Sequence, residues 1–63
     1  MALETELAMV ERHVREGKRH VARQHEIIEV LRRRGANTDT AETLLVTFET
    51  ALAAHVAHLT SLK

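Results

Sequence analysis

Residues 31–42, Leu31-Arg32-Arg33-Arg34-Gly35-Ala36-Asn37-Thr38-Asp39-Thr40-Ala41-Glu42, decide the fold. Arg32, Arg33 and Arg34 suit the last turn of a helix, where cations meet the negative end of its dipole. Gly35 suits the position just past that end, because the left-handed conformation that closes a helix costs glycine no Cβ clash. Asn37, Thr38 and Asp39 compete well for backbone hydrogen bonds in a turn. Thr38 is an acceptable N-cap, and Asp39 followed by Glu42 reads as a capping-box-like start with Asp in place of Ser or Thr. One helix ends and the next begins within about five residues, a length that suits an antiparallel helical hairpin.

Apolar stripes run outward from this loop on both sides. Leu3, Leu7, Val10, Val14, Val21, Ile28 and Leu31 fall on alternating steps of four and three, with Gly17 and Gln24 in the two remaining slots. Ala41, Leu45, Phe48, Leu52, His55, Leu59 and Leu62 repeat the step on the far side. Such spacing specifies two coiled-coil-like helices. They are expected over about residues 2–34 and 39–62, the first starting at Ala2 or Leu3, with no proline to interrupt either. At 1.5 Å per residue they would measure about 48 Å and about 35 Å.

Folding at the loop predicts a register. Leu31 meets Ala41, Ile28 meets Leu45, Gln24 meets Phe48 and Val21 meets Leu52. Gly17 then faces His55, Val14 faces Leu59, Val10 faces Leu62, and His13 falls near His58. The expected core is Leu7, Val10, Val14, Val21, Ile28, Leu31, Leu45, Phe48, Leu52 and Leu59. Leu3 and Leu7 have no partner inside the hairpin, and burying each would contribute roughly 1.5–3 kcal/mol. From Thr43 to Leu62 the only charged side chain is Glu49. A helix apolar or small most of the way round is normally buried by several neighbours, so the second helix is expected to be the more central one. A homodimer forming a four-helix bundle is the simplest closed solution. Its expected interface includes Leu3, Leu7, Val10, Val46, Ala53 and Ala57.

Composition points the same way. A chain of 63 residues buries only about 60% of its unfolded surface, so a lone core is marginal. The chain has no cysteine, which removes disulfides, thiolate metal sites and thiol catalysis together. Nine basic and nine acidic side chains cancel, unlike the basic excess of a general polyanion binder. Residues 1–34 carry a net +2 and residues 35–63 a net −2, which favours pairing between the halves. Glu4 and Glu6 follow Met1 with no apolar leader between them, so a whole small cytoplasmic protein is expected. The uncharged run from Thr50 to Leu62 is too short and too rich in Thr and His to span a bilayer.

The chemically suggestive residues are the five histidines. The structural reading is that His55 fills space over Gly17, where one polar residue sets register and oligomeric state. Burial disfavours a charged imidazole, so acidification would oppose assembly. The functional reading is a metal or haem site formed by His13, His55 and His58, since neutral imidazole ligates zinc, copper, nickel and haem iron. Arg12, Arg15, Lys18, Arg19 and Arg23 form a basic band, interleaved with Glu11, Glu16 and Glu26. Phe48, the only aromatic residue, is assigned to the core, so no stacking platform for single strands remains. The chain shows no Ser-His-Asp pattern, no glycine-rich phosphate loop and no paired-carboxylate pocket, so neither an enzyme nor a bound cofactor is expected.

The segments Glu11–Gly17, Arg23-Gln24, Leu31–Gly35, Asp39–Leu45 and Phe48-Glu49 together resemble a group of small uncharacterised alphaproteobacterial helical-hairpin proteins. That resemblance covers most of the chain and implies the hairpin without implying an activity. In architecture alone the hairpin resembles the Rop-like plasmid copy-number regulators, which dimerise into a four-helix bundle and bind paired RNA loops; no RNA-binding motif aligns. The expectation is therefore an all-α hairpin, a single domain over residues 1–63. It homodimerises and acts by binding a partner, an unknown protein. The alternatives are a regulator binding structured RNA through the basic band, and a histidine metal or haem protein.

Overall fold

The computed structural model describes residues 4–63, in which helix α1 (Glu6–Arg33) and helix α2 (Asp39–Leu62) pack side by side as a hairpin. Leu3 lies outside the described residues. Helix α1 begins at Glu6, later than expected, because Thr5 is extended (ψ 158°) and its hydroxyl accepts the Ala8 N–H at 3.0 Å. Thr5 thus satisfies one of the orphan donors of the first turn. With 28 and 24 residues, α1 and α2 are about 42 Å and about 36 Å long, closer in length than the stripes suggested.

The C-terminus of α1 closes as expected, in a complete Schellman arrangement. Gly35 takes φ +69°, its N–H reaches the Arg32 carbonyl at 3.0 Å, and the Ala36 N–H reaches the Leu31 carbonyl at 2.9 Å. The capping box at the start of α2 does not form. Asn37 Oδ1 accepts the Asp39 N–H at 2.7 Å, and Thr38 makes no side-chain cap. The Glu42 carboxylate instead reaches back across the hairpin to Arg32 at 2.9 Å. A long-range ion pair has taken the residue that local capping would have used.

The helices pair about one turn away from the expected register. Leu52, rather than His55, lies over Gly17: a Cβ built on Gly17 would stand 3.0 Å from Leu52 Cδ1. His55 faces His13, and His20 faces Phe48. Gln24 donates through Nε2 to the Ala41 carbonyl at 2.9 Å. This register places an apolar side chain in the space that Gly17 leaves. Burying leucine there is favourable, whereas a buried imidazole must first find hydrogen-bond partners. The shift also brings the end of α2 to the start of α1, where His58 meets Glu6 at 2.9 Å.

The buried residues are Val10 (0% exposed), Val14 (8%), Ile28 (3%) and Gln24 (4%), all on α1. Helix α2 has none within the hairpin. Its stripe residues Ala41, Leu45, Phe48, Leu52, His55 and Leu59 are half-buried, as are Val21 and Leu31 on α1. Leu7, expected in the core, is 41% exposed.

Gly17 permits close approach and costs helix propensity. The tightest contact of an added Cβ is with the far end of Leu52, which can rotate away. We expect Gly17→Ala to be neutral or stabilising by up to about 1 kcal/mol, and Gly17→Leu to destabilise by overpacking, by about 1–3 kcal/mol. Thermal unfolding followed by circular dichroism separates the two.

Candidate interaction face

The new register aligns two ring pairs along one side of the hairpin. His13 and His20 are seven residues apart on α1, as are Phe48 and His55 on α2. Seven residues are two helical turns, so each pair repeats on one face of its helix. The rings of His13 and His55 have centroids 4.9 Å apart at an interplanar angle of 46°. Those of His20 and Phe48 stack at 5.4 Å and 24°. Gly17 and Leu52 occupy the layer between, and Glu16 and Ala51 complete the walls. Because Gly17 has no side chain and Ala51 a small one, an open groove of about 200 Å³ remains. Pockets that hold drug-sized ligands run to about 300–1,000 Å³, so the groove suits an inserted side chain better than a substrate.

The histidines proposed as ligands are not all brought together. His13 and His55 meet, but His58 is drawn to Glu6 at the N-terminal end of α1. Among the described residues no group of three His, Cys, Asp or Glu side chains could hold a metal ion. A zinc site normally takes at least three ligands from the protein.

The basic band lies on the outer side of α1. Arg15, Lys18, Arg19 and Arg23 are exposed and make no ion pair among the described residues. Arg12 is consumed internally: its guanidinium donates to both Glu4 oxygens, at 3.0 and 3.2 Å, and to Glu16 at 3.3 Å. The hydrogen bond from Arg12 holds the Glu4 carboxyl below its ordinary value, and Arg12 is raised in turn. A depressed carboxylate favours the folded state above its unfolded pKa, a contribution lost as pH falls through the folded one. Both groups are solvent-exposed, so water screens the pair heavily.

Of the residues expected at a dimer interface, Val10 is already fully covered inside the hairpin. Leu7 (41%) and Val46 (61%) are exposed, as are Ala53 and Ala57. Further large apolar side chains, Ile27 (36%), Val30 (41%), Leu44 (42%), Val56 (42%) and Leu62 (37%), are also open to solvent. Ile27, Val30, Leu44 and Val56 lie off the core stripes and were not singled out from the sequence. A second period offers a signal for the first and third: Ile27 continues His13 and His20 at seven residues, and Leu44 precedes Ala51 by seven. Among the described residues no helix is long and apolar enough to cross a membrane.

No protein-family model matches the chain, and no curated protein or solved structure matches it.

Proposed function

We propose that the chain is the protomer of a homodimeric four-helix bundle, an interaction or structural protein of the cytoplasm that acts by binding a partner and not by catalysis. Its exposed area carries this reading. The hairpin exposes 4893 Å² at a mass of 7.1 kDa. A compact monomer of that mass exposes about 4,100 Å², from the scaling of surface with mass. The excess, about 800 Å², equals one partner's share of a standard interface. Dimension agrees with area. The hairpin measures 48 × 25 × 14 Å, so its smallest extent is a single layer of helix. Stable domains close a core between at least two layers.

The test is the solution mass by analytical ultracentrifugation across a range of concentrations. Twice 7.1 kDa is expected, and 7.1 kDa at every concentration overturns the reading. The exposed Arg15, Lys18, Arg19 and Arg23 favour a second reading, a dimer that binds structured RNA. Binding that falls steeply with salt, and is lost in Arg15→Ala/Arg19→Ala, would select it.

A further inference from the structure

Resting on the dimer reading, we propose that the second copy seats on the groove side of the hairpin, against the layers formed by His13–His55 and His20–Phe48. Three observations choose this side.

The first is charge. On α1 the strip beside the groove, which holds Met9, His13, His20 and Ile27, carries three formal charges, on Glu6, Glu16 and Arg23. Glu16 is already met by Arg12 at 3.3 Å and Glu6 by His58 at 2.9 Å, which leaves Arg23. The opposite strip of α1 carries Glu11, Lys18, Glu29 and Arg32, and the matching side of α2 carries Glu42 and Glu49. Along the groove side of α2, Leu44 and Ala51 bring no charge, and His58, seven residues further on, faces Glu6. Covering the charged side would desolvate six ionised groups, of which Arg32 and Glu42 are paired with each other at 2.9 Å, whereas the groove side holds three.

The second is shape. A two-fold interface uses one patch on both subunits, so the patch must carry both projections and recesses. The groove side has both: Ile27 and Leu44 project, 36% and 42% exposed, and the recess over Gly17 and Ala51 measures about 200 Å³. The third is breadth. Val46, Ala53 and Ala57 lie on the back of α2 alone, whereas the groove side is shared by both helices. Only a two-helix side, up to 48 by 25 Å, readily supplies about 800 Å² per subunit.

Sedimentation equilibrium of four glutamate variants tests this. Leu44→Glu and Ala51→Glu on the groove side should each weaken dimerisation by about 100-fold or more, because each would bury an unpaired carboxylate. Val56→Glu on the charged side and Val46→Glu on the back of α2 should leave it within about threefold, as for changes outside an interface. Retained helical circular dichroism shows that the hairpin survives. A second measurement does not disturb the fold: in a chain without cysteine, Ala51→Cys should become protected from a thiol reagent as the dimer forms, while Ala53→Cys stays reactive. A wild-type dimer that resists Leu44→Glu and dissociates with Val46→Glu or Val56→Glu overturns the choice of face and leaves the dimer standing. A wild-type monomer overturns the dimer itself, and the face with it.

Discussion

Val10→Asp is expected to abolish the fold. Among the described residues Val10 is the side chain fully enclosed in the hairpin, at 0% exposure. A carboxylate there would be stripped of water with no cation supplied to meet it, at a cost of several kcal/mol. A domain of 63 residues has a total stability of about 3–9 kcal/mol at the usual values per residue. The substitution therefore removes most or all of it. Circular dichroism at 25 °C should show the helical signal collapsing toward that of an unfolded chain. Val46→Asp is the control: at 61% exposure it should change hairpin stability by no more than about 0.5 kcal/mol. A well-folded Val10→Asp protein would mean that this end of the hairpin is open to water.

Ile28→Ala is expected to be the next most damaging change, at about 2–4 kcal/mol. Ile28 is 3% exposed and one turn from Gln24, whose amide joins α1 to the Ala41 carbonyl at 2.9 Å. A cavity here loosens the layer that holds the two helices in register near the loop. The midpoint of thermal unfolding should fall by at least about 10 °C for a domain of this size. Its sequence neighbour makes the contrast informative. Ile27 is 36% exposed and lies on the proposed interface. Ile27→Ala should leave an isolated hairpin nearly unchanged and act on association instead. Equal loss of hairpin stability from both substitutions would contradict the burial pattern.

The ends of the helices were the most legible part of the fold. Gly35 and the arginines before it mark the close of α1 because capping is local physics, decided within a few residues of chain. Thr5 carried the same kind of signal and lay hidden because the apolar stripe runs on past it to Leu3. Glu42 shows where local reasoning stops: its capping role lost to Arg32, ten residues away in sequence and beside it only after folding.

The candidate face was half legible. The seven-residue spacing of His13 and His20 is visible in the chain, but their partners are not. A shift of one turn keeps every stripe residue on its stripe while changing which residue it meets. Helical periodicity is therefore blind to that shift, and the choice fell to the contact between Gly17 and Leu52. The same shift moved His58 to Glu6 and separated it from His13.

By itself, then, the sequence determined that this protein is two helices, where the turn between them lies, and which stripe of each points inward. These follow from period, capping and the absence of proline. Only the tertiary structure decided the register, the pairing of His13 with His55, and the burial of α1 rather than α2. Those depend on how side chains from distant positions share one space.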